Sequence, residues 1–153
     1  MTSFPGRISD LNLLRRAFWE FSAARELAFF TRMERGNESS RWQPVGALPL
    51  VAVHYFSVRG VGIFVRGARG TKIGHVREFL FPHRRLLSET LARDDIRLGG
   101  TFLLHDRLRC DMTKRDNWPA AVAWLAAKSP LYEKALRCVQ KRGASLPGQD
   151  SFE

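Results

Sequence analysis

Residues 50–66 read LVAVHYFSVRGVGIFVR, the longest β-prone apolar run in the chain. Two runs of Val, Ile, Phe and Tyr lie either side of Ser57 to Gly60, which predicts a β-hairpin. A lone hairpin is not stable in water, so helices or further strands must cover this one.

Upstream, Asp10 is a plausible helix cap, and Leu11, Leu14, Phe18 and Phe21 follow at helical spacing, with Trp19, Ala23, Leu27 and Phe30 as a second stripe. So wide an apolar face predicts a helix lying across the sheet. Gly36 to Ser40 is polar and turn-forming, and Pro44 and Gly46 extend the expected loop to Leu48. Trp42, in that loop, is either a lid folded back on the core or an exposed contact residue.

Downstream, Gly67 and Gly70 stand among Arg66, Arg69 and Lys72. This is a flexible turn or a place where backbone N–H groups approach a phosphate. It does not match GxxxxGK[ST], the loop of a nucleotide hydrolase. Ile73 to Arg93 reads as helical, with Val76, Leu80, Leu87 and Leu91 near one face and Pro82 kinking or splitting it. Thr101 to Leu104 reads as a strand and His105-Asp106 as a tight reversal. Leu108, Cys110 and Met112 then alternate with Arg107, Arg109 and Asp111, the pattern of a strand with one face in water. Asn117 caps a last helix with Pro119 in its first turn, and Ser129-Pro130 reads as the cap and first-turn proline of a second helical segment, which predicts a bend there.

The expected order is therefore α-β-β-α-β-β-α: an α+β fold with a four-stranded, mainly antiparallel sheet and helices packed on it. With 153 residues and 44% apolar content, one core is the expectation. Its bounds are a flexible lead-in at 1–10, a single domain at 11–142 and a flexible tail at 143–153.

Lys and Arg number 25 against 15 Asp and Glu, a formal charge of +10 that favours nucleic acid or another polyanion as partner. Two cysteines, Cys110 and Cys138, imply neither a disulfide scaffold nor a thiolate metal cage and suit a reducing, cytoplasmic compartment. The N-terminus lacks a signal-peptide h-region and no apolar run approaches membrane-spanning length, so no membrane association is expected. Asn37-Glu38-Ser39 matches a glycosylation acceptor, which is inert without secretion.

No Asp/Glu-x-Lys triplet, zinc-ligand spacing, HExxH or GxSxG occurs. Asp94-Asp95 reads as a solvated connection, His54 as a structural residue, Cys110 as a small buried hydrophobe, and His105-Asp106 as a turn before a general-base pair. No catalytic residue, metal ligand or cofactor is assigned. The residues singled out for nucleic-acid binding are Arg59, Arg66, Arg69, Lys72, Arg84 and Arg85, in the densest basic stretch, and a second group of Arg107, Arg109, Lys114 and Arg115.

One resemblance narrows the context. Asp111-Met112-Thr113-Lys114-Arg115-Asp116-Asn117-Trp118-Pro119, followed by Ala123-Trp124-Leu125, resembles the closing signature of a bacterial domain family of unknown function. That family is found stand-alone or C-terminal to PD-(D/E)XK restriction-like nuclease domains. Leu14 to Phe21 (LRRAFWEF) is similar to its opening helix and Arg59 to Arg66 (RGVGIFVR) to its central strand, so the likeness covers roughly Leu11 to Val139. The resemblance implies nuclease or defence-like surroundings and supplies no catalytic residues. The leading expectation is a non-catalytic DNA-binding or DNA-positioning accessory domain. The alternatives are a protein-interaction or self-association module anchored by Trp42 or Trp118, and an enzyme whose site forms from residues distant in sequence.

Overall fold

The computed structural model describes residues 8–31, 33–47 and 50–144, with the side chains of 8, 9, 143 and 144 outside that set. Most of the expected lead-in and tail, at 1–7 and 145–153, lies outside the described residues. The helices are α1 (Ile8–Arg25), α2 (Leu27–Phe30), α3 (Ile73–Leu80), α4 (Arg84–Leu91) and α5 (Trp118–Ala144). The strands are β1 (Glu34–Arg35), β2 (Ser40–Val45), β3 (Leu50–Ser57), β4 (Gly60–Gly67) and β5 (Leu103–Arg109), in one sheet of order β1-β2-β3-β4-β5.

The class is α+β, but the four-stranded α-β-β-α-β-β-α arrangement is wrong on two counts. First, the loop expected from Gly36 to Leu48 contains β2, which pairs antiparallel with β1 just before it, Glu34 opposite Trp42. The apolar alternation that announces a strand is missing from β2 because two of its buried positions are polar, Ser40 and Gln43. Second, the expected reversal at His105-Asp106 does not exist: β5 runs straight through it. The irregularity lies one residue earlier, where Leu104 has φ +56°, a conformation costly for a branched side chain. Its amide donates to the Arg97 carbonyl at 2.9 Å, and its carbonyl accepts from the Tyr132 hydroxyl. Leu103 and Leu104 are consequently both buried, which breaks the alternation expected of a single strand.

Of the two expected outcomes, a kink or a split, Pro82 gives the split: α3 passes through a 3-10 turn at Phe81–His83 into α4. Pro130, by contrast, lies inside the 27-residue α5, so Ser129-Pro130 begins no second helix.

The chain divides into two compact units. The first comprises Met1–Gln43, Val53–Ile63 and Asp106–Lys128. Its core is an aromatic cluster: Phe18 lies 5.0 Å from Trp19, 5.1 Å from Phe56 and 5.4 Å from Trp118, ring centre to ring centre. Val61, Met112, Val122 and Leu125 complete it, with Leu108 packed against it. The second unit comprises Pro44–Ala52, Phe64–His105 and Ser129–Glu153 and buries Leu80, Leu87, Leu103 and Leu136 completely. Here Arg77 ties down the 98–100 segment by donating to the carbonyls of Leu98 and Gly100, and Gln140 donates to the Val45 carbonyl at 2.6 Å.

Candidate nucleic-acid interface

The alternation of the strands decides which side chains of the first unit stay outside the aromatic cluster. Phe56 and Val61 belong to the cluster and Leu108 packs on it. Their neighbours Tyr55, Gly62, Arg107 and Arg109 therefore lie on the opposite face of the sheet. In β2, Arg41 is on the cluster side, its guanidinium 5.0 Å from the Trp19 ring and 6.0 Å from Phe30, so Trp42 shares the outer face with Tyr55.

Two glycines shape this face. At Gly60 a side chain is forbidden by backbone, since a Cβ would sit 2.1 Å from the Leu108 carbonyl oxygen. That approach lets Cys110 N–H reach the Arg59 carbonyl and Met112 N–H the Val58 carbonyl, both at 3.0 Å, setting the end of β5 against the hairpin turn. At Gly62 the space is taken by Tyr55: a Cβ would fall 2.4 Å from both Cζ and the hydroxyl oxygen. The Tyr55 ring thus lies down across β4, half-buried. Burial pushes its hydroxyl above the usual tyrosine range, and the Arg107 charge draws it partly back.

The ten cations divide between the units. In the first, Arg59 is exposed in the hairpin turn, Arg107 and Arg109 are exposed on β5, and Lys114 and Arg115 are exposed in the connection to α5. Arg115 stacks 4.5 Å from the Trp118 ring. Among the described residues, no carboxylate comes within 4.0 Å of Arg59, Arg107 or Arg109, whereas Arg16 and Arg35 share Glu38 and Lys128 meets Asp106 at 3.1 Å. The structure therefore brings Arg59 beside the second sequence group.

The second unit holds the other five. Arg66 Nε donates to the Gly67 carbonyl, Arg84 stacks 3.7 Å from the Phe81 ring, and Arg85 lies 3.9 Å from Glu89, while Arg69 and Lys72 are exposed before α3. An open cavity of about 460 Å³ in this unit is lined by Arg97, Gly99, Gly100, Thr101, Phe102 and His105. Its cation, Arg97, is held by Asp95 at 3.0 Å.

The remaining candidates have structural partners. Trp118 is buried and donates to the Met112 carbonyl at 2.9 Å, which removes it as a surface anchor. His54 is buried edge-on to Phe29, and its Nδ1 lies 3.3 Å from the Arg41 carbonyl. Asp106 is engaged by Lys128, while His105 packs edge-on to Phe64 and Phe102, a ring pair stacked at 4.3 Å. Burial, then the charge of Asp111, pushes the Cys110 thiol up, away from a reactive thiolate. Among the described residues no three of His, Cys, Asp and Glu gather as metal ligands, and no helix is long and apolar enough to cross a membrane.

Sequence reading missed Tyr55 and Gly62. A signal was available, because a two-residue turn at Val58-Arg59 counts Tyr55 opposite Gly62. Set against known protein families, curated proteins and solved structures, the chain matches none of them.

Proposed function

We propose that this protein is a non-catalytic DNA-binding or DNA-positioning accessory module. The observation that carries the reading is the outer face of the first unit, where Arg107 and Arg109 are exposed with no carboxylate in ion-pair range among the described residues, and Arg59 stands at the adjoining turn. Among the described residues, most exposed arginines elsewhere have acidic or aromatic partners. Leaving several cations unneutralised on one side raises the local potential and favours a polyanion. Phosphate contacts of this kind position a nucleic acid without reading its sequence.

The test is a titration of the purified protein with labelled DNA at about 50 and 200 mM salt, for the wild type and for Arg107→Ala with Arg109→Ala. Affinity is expected to fall steeply with salt, and the double variant to bind more weakly with a salt slope shallower by about two. Absence of binding at the lower salt, or an unchanged slope in the variant, overturns the reading.

A further inference from the structure

We infer that the second unit carries a binding site for a small phosphate monoester, formed by the loop that leads into β5. The inference goes beyond the DNA reading and uses none of the arginines on which that reading rests.

The loop runs from Arg97 to Leu104 and is closed by the Leu104 N–H, which donates to the Arg97 carbonyl at 2.9 Å. Arg77 holds it from behind: Nε donates to the Leu98 carbonyl at 2.5 Å, and a terminal nitrogen donates to the Gly100 carbonyl at 2.8 Å. In a trans peptide the N–H of the next residue points opposite to the carbonyl. Turning the carbonyls of Leu98 and Gly100 toward Arg77 therefore turns the N–H groups of Gly99 and Thr101 away from it. Both of these residues line the open cavity of about 460 Å³ and Arg77 does not, so the two amides face the cavity. Neither has an acceptor among the described residues. Gly100 stands between them with φ +75°, and backbone of this alternating kind gathers its amides into a concavity suited to anions.

The side chains agree with an anion. Arg97 gives Nε to Asp95, which leaves its terminal nitrogens for a ligand, and Thr101 adds a hydroxyl to the same wall. Arg93 also meets Asp95, at 3.4 Å, so the guanidiniums of Arg77, Arg93 and Arg97 stand against the carboxylates of Asp94 and Asp95 and the loop stays positive. A Cβ built on Gly99 or Gly100 meets nothing within 4 Å, so the space in front of the amides is open. A phosphate monoester carries about two charges at neutral pH and three acceptor oxygens, enough to use both amides, the hydroxyl and the guanidinium. A carboxylate has one oxygen fewer and half the charge. The cavity exceeds what a phosphate fills, and the part walled by Phe102 and His105 takes the organic group.

The experiment titrates the full chain, isotope-labelled for NMR, with inorganic phosphate, glycerol phosphate and acetate, each to about 10 mM, a range that detects a Kd near 1 mM. The Gly99 and Thr101 amide signals are expected to move downfield and saturate with both phosphates, glycerol phosphate binding at least as tightly, and to move little with acetate. Arg97→Gln is expected to weaken binding by about 10- to 150-fold and Thr101→Val by about 2- to 10-fold, as loss of one charged and one neutral hydrogen bond implies. Both residues are exposed, so neither variant should disturb folding. Arg107→Ala with Arg109→Ala is expected to bind phosphate as the wild type does. Amide signals that ignore both phosphates overturn the site, as does an equal response to acetate. A response that survives Arg97→Gln and Thr101→Val but disappears in the β5 double variant overturns it too, because the phosphate is then gathered by the β5 arginines. If inorganic phosphate binds and glycerol phosphate does not, the monoester is overturned.

Discussion

Arg41 and Arg107 belong to the same unit and stand on opposite faces of the same sheet. Arg41 lies over Trp19 and Phe30 and donates from one nitrogen to the carbonyls of Asn37 and Ser40, at 2.9 and 2.8 Å. Burial and the nearby Arg35 disfavour its charge, while Glu38 favours it. Arg107 is exposed with no carboxylate in reach among the described residues. An arginine whose donors and ring contacts are satisfied by its own chain supports the fold. An exposed one without such contacts contributes little to it.

The comparison breaks most visibly if the cluster face proves dispensable. Phe18→Ala removes the ring that touches Trp19, Phe56 and Trp118, and its cost is expected to be about 3–5 kcal/mol in urea denaturation. Arg41→Met keeps a flexible apolar stem but loses two hydrogen bonds and the cation–ring contacts, for an expected loss of about 1–3 kcal/mol. Arg107→Ala and Arg109→Ala are expected to stay within about 0.5 kcal/mol of the wild type, as surface substitutions usually do. If Arg107→Ala costs as much as Arg41→Met, the two arginines do the same job and the distinction between the faces collapses.

A subtler prediction concerns the ring seat. Gly62→Ala places a methyl group where the Tyr55 ring lies and is expected to destabilise by about 1–3 kcal/mol. In a Tyr55→Ala background the obstruction is gone, and alanine at position 62 should be neutral or better than glycine by up to about 1 kcal/mol. A double-mutant cycle measures that reversal. Additive costs mean that the ring does not rest on Gly62.

These positions also show what the sequence could and could not disclose. The hairpin and the aromatic first helix were legible because their apolar spacing repeats at a fixed period, and the break at Pro82 because proline has no amide to donate within a helix. β2 was not, since Ser40 and Gln43 are polar residues at buried positions, and periodicity sees only the side chain's own chemistry. β5 was misdivided because the positive φ of Leu104 puts two successive leucines inside, and backbone conformation at a leucine leaves no local mark. For the candidate site, the cations were visible as a composition, but not their grouping. Arg59 joins Arg107 and Arg109 only because β5 pairs beside the hairpin turn, a contact about fifty residues away in sequence.

The smallest effect concerns the influence of Arg107 on Tyr55. Tyr55 has its hydroxyl raised by burial and partly lowered by Arg107. Its folded form therefore holds the proton above the ordinary tyrosine value of about 10, and the stability it contributes is complete below that value. That contribution is lost as pH rises through the folded-state value. Arg107→Ala removes the influence that draws the value down, so the Tyr55 phenolate should appear at higher pH than in the wild type and the alkaline loss should extend further. Arg109→Ala, one step along the strand, should move it less. The Tyr55 ring-carbon resonance followed by NMR through alkaline pH distinguishes these outcomes. An unmoved titration in Arg107→Ala separates the guanidinium from the ring.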